Sequence, residues 1–276
     1  MKGYSFLIRM FFLGPLFLVR AAYADDASLT NDLLISKLVP IQLNLAMKDP
    51  SKVPVTLRLA DLYAERGRQK SLQELNEGCT VCTAGQADRE QALKYYREVL
   101  DRVPLDQQGR VMLQVGHLYE MNNQEPQAIE FYQNLLKSAT NTDAQMESHF
   151  SLAEIYFKKR QYTLANEHYL KVANSSAASK ARAAYRSAWC LYNMGKLEQA
   201  SQDFEKILRT PELLTKSIGG QRQVDVQFQE EVIRDWITVL SSQKWDKKSP
   251  EKIYSLSPEK IKISLLTTLA LELERV

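Results

Sequence analysis

Three segments of this chain carry the same spaced set of residues. Val115-Gly116-x-x-Tyr119 is followed by Ala128-x-x-x-Tyr132, and Leu152-Ala153-x-x-Tyr156 by Ala165-x-x-x-Tyr169. Ser187-Ala188-x-x-Leu191 is followed by Ala200-x-x-x-Phe204. The leading small residues, Gly116, Ala153 and Ala188, lie 37 and 35 residues apart, and in every copy the second small residue follows the first by twelve positions. A fixed offset inside a near-constant period marks a solenoid built from one repeated unit. The unit is two helices. A Gly or Ala on helix A and an Ala on helix B let the antiparallel pair approach closely, and large residues at helical spacing fill the space between successive pairs. One hairpin cannot bury its own apolar face, so the copies must stack.

The pattern resembles the tetratricopeptide repeat family, whose consensus places a small residue and an aromatic on helix A and an alanine and an aromatic on helix B. The resemblance is clear over about half the chain and looser over about three quarters of it. It implies an all-α fold, a right-handed α-α superhelix, and a concave groove of helix A side chains that holds peptides. Carried over position by position, that groove is Arg110, Leu113, His117, Glu120 and Met121 in the first clear repeat. The second supplies Glu147, Phe150, Glu154, Phe157 and Lys158, and the third Arg182, Tyr185, Trp189, Tyr192 and Asn193. Five of these are aromatic: Phe150, Phe157, Tyr185, Trp189 and Tyr192. Aromatics in an open groove offer large, rigid contact area. The competing reading is that superhelical curvature or an N-terminal helix covers them. The subfamily that grips a C-terminal carboxylate uses basic and amide side chains at these positions. Here they are mainly aromatic, apolar or acidic, so an extended apolar peptide or a partner helix fits better.

The flanks carry other information. Lys2, the apolar run Tyr4 to Val19, and Ala22-Tyr23-Ala24 before Asp25-Asp26 match a secretory signal peptide over residues 1–24, cleaved after Ala24. Arg9 within the run and Arg20 near its end leave an uncleaved anchor as the alternative. No cysteine lies near the site, which argues against a lipoprotein. The formal charge of +3 includes Lys2, Arg9 and Arg20, so removing residues 1–24 leaves zero, and the basic balance does not argue for nucleic acid. At 45% hydrophobic and 25% charged, the chain is neither disordered nor membrane-embedded in composition.

Residues 25–50 form a linker and adaptor helix: 25–31 is polar and loose, and Leu29 to Met47 is helical with a break or kink at Pro40. Residues 51–104 hold a first repeat, Leu59-Ala60-x-x-Tyr63 with Ala92-x-x-x-Tyr96. Its offset is 32 instead of 12, an insertion of twenty residues that includes Cys79-x-x-Cys82. Residues 105–208 are the three repeats. Residues 209–276 form a degenerate repeat and the start of a further, truncated one. There, 217–223 is a loop, Phe228 to Leu240 a helix, Pro250 to Tyr254 a short helix, and Glu259 to Glu274 a last helix. That last helix is apolar at Ile263, Leu266, Leu269, Ala270 and Leu273.

Few residues suggest chemistry. In an exported protein, Cys79 and Cys82 are a candidate disulfide, with free thiols or metal ligation as the alternatives. Cys190, beside Trp189 on a helix, fits as a small buried filler. His117, His149 and His168 make no ligand pair at helical spacing, and no phosphate-binding glycine loop or nucleophile motif occurs. The expectation is therefore a non-enzyme without catalytic, cofactor or metal site. It would be a protein-interaction scaffold of the bacterial envelope, periplasmic and associated with outer-membrane proteins, with no membrane span after signal cleavage and no nucleic acid partner. Two other readings stay open. One is a module positioning a peptidoglycan or outer-membrane assembly enzyme. The other is a self-assembling segment using the last helix, to be tested at Leu266 or Leu269.

Overall fold

The computed structural model describes residues 16–80, 83–138, 141–243 and 247–274, with side chains from Thr30 onward except those of Ile218 and Leu273. Most of the expected signal sequence, residues 1–15, lies outside them. The chain forms two compact units, Met1–Pro104 and Leu105–Val276. The first packs an N-terminal helix on a helix pair and the second stacks successive helix pairs, the α-α architecture that the repeat spacing implies.

The first unit contains α1 (Leu16–Asn44), α2 (Lys52–Asn76) and α3 (Gln86–Val99), the last followed by a 3-10 turn at Leu100–Arg102. Two expectations need correction. Residues 25–31 are helical, because no glycine or proline interrupts the segment, and of the break or kink expected at Pro40 the break does not occur, since α1 continues through it to Asn44. Pro40 is exposed. α1 is fixed to the hairpin by buried polar contacts: the Gln42 amide donates to Glu98 (2.9 Å) and the Lys52 ammonium to the Gln42 carbonyl (2.6 Å).

The twenty-residue insertion resolves into three parts. α2 ends in a left-handed Gly78 (φ +86°), eighteen positions after Ala60. The regular repeats reach the equivalent turn residue seven positions after theirs. Helix A has therefore gained eleven residues, about three full turns, which keeps its buried face in phase. The rest widens the turn and starts α3 earlier. The extension is locked to α3 through backbone contact, because a Cβ on Gly85 (φ +82°) would lie 2.1 Å from the Gly67 carbonyl oxygen. Arg66 spans Asp32 of α1 and Asp88 of α3, both at 2.5 Å, and Lys70 meets Asp88 at 2.7 Å. Cys79 is disulfide-bonded; Cys82 lies outside the described residues.

The second unit begins with three hairpins: α4 (Leu105–Met121) with α5 (Glu125–Ser138), α6 (Thr142–Lys158) with α7 (Tyr162–Ala173), and α8 (Lys180–Asn193) with α9 (Leu197–Leu208). Ala128, Ala165 and Ala200 are fully buried against helix A, as are Tyr132, Tyr169 and Phe204. Gly116 faces Tyr132 so closely that a Cβ would sit 2.3 Å from its ring. The three turns repeat as faithfully as the helices. Asn123, Arg160 and Gly195, each seven residues after the leading small residue, all have positive φ (57°, 59° and 75°). The next N–H closes back on helix A in each case: Gln124 to Tyr119, Gln161 to Tyr156, Lys196 to Leu191. This is the Schellman end of a helix, which satisfies carbonyls that would otherwise be orphaned.

Beyond α9 come a 3-10 turn (Pro211–Leu214), β1 (Thr215–Ile218), β2 (Gln221–Val224), α10 (Val226–Ser241), α11 (Ser249–Leu256), a second 3-10 turn (Glu259–Ile261) and α12 (Lys262–Glu274). The segment expected as a loop is instead an antiparallel hairpin pairing Thr215 with Val224 and Ile218 with Gln221. Its two-residue turn, Gly219-Gly220, has positive φ at both positions, which suits the right-handed twist of a hairpin. α10 buries Val232, Trp236, Val239 and Leu240 as expected, and the Trp236 indole donates to the Ser201 hydroxyl at 2.9 Å. The apolar face of α12 is shifted from its expectation. Leu265 and Leu269 are buried against α10 and α11, whereas Ile263 is 80% exposed and Ala270 is also outside. Leu269 therefore holds the core and cannot report on self-assembly.

Candidate partner-binding face

The helix A residues carried over from the repeat pattern lie where helical spacing puts them. On α6, Asp143, Glu147, Phe150, Glu154 and Phe157 follow one another at intervals of four and three and so share one face. With α4 this face forms two clefts. One, of about 540 Å³, is bounded by His117 of α4, by Asp143, Glu147, Phe150 and Ser151 of α6, and by the turn at Ser176–Ser179. The other, of about 360 Å³, is bounded by Glu120, Glu125, Glu154, Phe157, Lys158 and Arg186.

The clefts differ in electrostatics. In the smaller one the cations are already engaged. Arg186 holds Glu154 with two hydrogen bonds (3.0 and 2.8 Å) and lies over the Phe157 ring at 5.0 Å, while Lys158 meets Glu125 at 2.8 Å. Glu154 also accepts from the Tyr169 hydroxyl at 2.5 Å, and Glu120 accepts from the Tyr132 hydroxyl. Burial raises the Glu120 carboxyl above its usual range, outweighing that hydroxyl, which pulls it down. In the larger cleft, Asp143 and Glu147 are exposed, and no cation pairs with either among the described residues. Burial lowers the His117 pKa, so its imidazole adds little positive charge near neutral pH.

The matching stripe on α8 is not open. Tyr185 is 6% exposed, packed on Phe204 and Phe228, and its hydroxyl donates to Asp235 of α10. The Trp189 indole donates to the same carboxylate at 3.0 Å, Arg182 reaches Glu231 at 3.1 Å, and the Tyr192 and Ser242 hydroxyls are 3.3 Å apart. α10 thus lies on this stripe. On α4, Leu113 is also core, at 5% exposed, while Arg110 and Met121 are exposed and line neither cleft. Asn193 is exposed, its amide donating to the Trp189 carbonyl.

A family model for the tetratricopeptide repeat matches residues 182–211, which spans α8 and α9. Its phase agrees with the two hairpins before it, with equal offsets between small residues and equal positions of the left-handed turn. The fold is that of the tetratricopeptide repeat. Among solved structures, BtubC from P. vanneervenii resembles the chain with a TM-score of 0.57 at 16% identity, over 90% of this chain and 92% of that one. MamA from Desulfovibrio magneticus RS-1 follows at a TM-score of 0.44 and 18% identity, covering 77% and 96%. PilF of Pseudomonas aeruginosa gives 0.39 and 17%, covering 79% and 91%. At such identities the likeness is one of fold alone. Among curated proteins, none matches the sequence.

Within this tetratricopeptide frame, the sequence reading missed two features. Asp143 and Arg186 complete the clefts. Asp143 could have been found as the residue four before Glu147 on the same face, whereas Arg186 lies just off the transferred positions. The histidines, which looked scattered, include a pair: His149 and His168 face each other across α6 and α7, with their Nδ1 atoms 2.9 Å apart. Burial, then His168 and Lys171, bring the pKa of His149 down to about 4, and burial lowers His168 as well. Two neutral rings sharing one hydrogen bond explain the contact. Cys190 is free and fully buried, and burial pushes its thiol up to about 12, where it is inert. Among the described residues, no three His, Cys, Asp or Glu side chains gather as a metal site, and no helix is long and apolar enough to cross a membrane.

Proposed function

We propose that this protein is a non-catalytic interaction scaffold of the bacterial cell envelope, docking a partner protein on the open helix A face of α4 and α6. The observation that carries this reading is the pair of adjacent clefts, walled by half-buried Phe150 and Phe157 and by charged groups, on a face that α10 leaves uncovered. A repeat array presents such a face on a rigid frame, and aromatic anchors beside polar groups are the usual composition of a docking surface. The envelope assignment rests on the basic-apolar-small pattern of residues 1–24.

The test is recovery of partners from envelope extracts after crosslinking in living cells. Wild type is compared with a Phe150→Ala/Phe157→Ala variant whose helical circular dichroism is intact. The reading predicts a specific protein recovered with wild type and lost with the variant. Recovery of the same set by both contradicts it. Cell fractionation, with an N-terminal mass at Asp25, checks the export half of the proposal separately.

A further inference from the structure

The charges on the open face are unequally satisfied. Its cleft-lining cations are committed internally: Arg186 to Glu154, and Lys158 to Glu125, which Lys159 also approaches at 3.6 Å. The acids outnumber them. Asp143, Glu147 and Glu120 form no ion pair among the described residues, and Glu120 has only the Tyr132 hydroxyl as a hydrogen-bond partner near its carboxylate. The unspent charge is therefore negative and is held on two neighbouring helices, beside the apolar walls of Phe150 and Phe157. A cation entering either cleft would gain carboxylate partners without displacing an existing pair. An acidic ligand would have to share Arg186 with Glu154 or Lys158 with Glu125, and would meet the unpaired carboxylates as it did so.

We infer that the open face of α4 and α6 selects a basic, extended peptide segment of its partner, with Lys or Arg side chains in the clefts and an adjacent apolar side chain on Phe150. This rests on the scaffold reading and adds the chemistry of the ligand. Complementary charge of this kind steers association and sets specificity more than it adds raw affinity, so binding should weaken with salt.

The experiment is selection of a displayed library of random short peptides against the full chain, followed by binding of enriched peptides to charge variants. Asp143 and Glu147 are exposed, so Asp143→Lys/Glu147→Lys should fold. Asp143→Asn/Glu147→Gln is the milder variant, and Glu130→Lys, exposed on α5, is the control. The expected result is enrichment of peptides carrying Lys or Arg beside an apolar residue. Their affinity should fall on the order of tenfold or more in the Lys variant, by less in the amide variant, and not in the control. Neutral or acidic peptides that still require Phe150 overturn this inference and leave the scaffold reading standing. Peptides indifferent to Phe150 and to both charges overturn both. Failure to enrich any peptide overturns the assignment of a short linear ligand to this face.

Discussion

The stripes on α6 and α8 occupy the same positions of one repeat and have opposite fates. On α6, Glu147, Phe150, Glu154 and Phe157 border clefts, and the acids nearest the rim are unpaired. On α8, Arg182, Tyr185, Trp189 and Tyr192 meet α10, and the Asp235 carboxylate takes both the Tyr185 hydroxyl and the Trp189 N–H. Burial raises the Asp235 pKa even so, a sign of how enclosed that contact is. Identical repeat positions therefore do not imply identical exposure. A helix A stripe is open only where no later helix packs on it, as α10 does on α8.

The contrast can be broken most strongly at Tyr185. Tyr185→Ala removes a ring wedged between Phe204 and Phe228 and leaves the Asp235 carboxylate with the Trp189 N–H in place of two donors, so it should cost about 3–5 kcal/mol by urea denaturation. Glu147→Ala, at an exposed α6 position, should stay within about 0.5 kcal/mol. Equal costs would mean that the α6 face is also packed. A smaller effect is expected at Gly116→Ala, where the new methyl meets the Tyr132 ring. Overpacking of this kind costs about 1–3 kcal/mol, read as a lower Tm. The same methyl is native at Ala153, so α4 and α6 differ in how closely their helix B approaches.

Acid sharpens the comparison, because the paired histidines lie on the α6–α7 hairpin and α8 has none. Their folded pKa values are depressed, so the unfolded chain binds protons more readily. The stability they contribute is complete above the ordinary histidine value and is lost as pH falls from there toward about 4. The expected observation is a steeper loss of Tm over that window in wild type than in His149→Gln/His168→Gln. A small effect of opposite sign is expected at Arg160. It holds a left-handed turn that Gly195 fills in the next repeat, so Arg160→Gly should stabilise by roughly 0.5–1 kcal/mol. A destabilised variant would show that the Arg160 side chain has a role that the turn geometry does not reveal.

Much of this was legible in the sequence, and for a physical reason. Close helix approach needs small residues at fixed places, so Gly116, Ala153, Ala188 and their helix B alanines betray both the pairing and the period. The α6 stripe came from the resemblance to the tetratricopeptide repeat, carried over position by position. Other features depend on contacts too distant to leave a local trace. Nothing near Tyr185 or Trp189 announces that Asp235, about fifty residues on, will accept hydrogen bonds from both. The shifted face of α12 likewise reflects how α10 and α11 cover Leu265 and Leu269, since the helix is apolar on more than one side. The β1–β2 hairpin did carry a signal in Gly219-Gly220, but four-residue strands of mainly polar side chains give almost no alternation to confirm it. Pro40 signalled a break or a kink, and the break is not made, since α1 continues through it to Asn44.

The most direct test is site-specific photo-crosslinking in living cells, with the photoreactive side chain placed in turn at Glu147 and at Tyr192. The account predicts a discrete adduct with another protein from position 147, and none from position 192, where α10 is the neighbour. Adducts from 192 but not from 147 would contradict it and move the docking surface off α4 and α6.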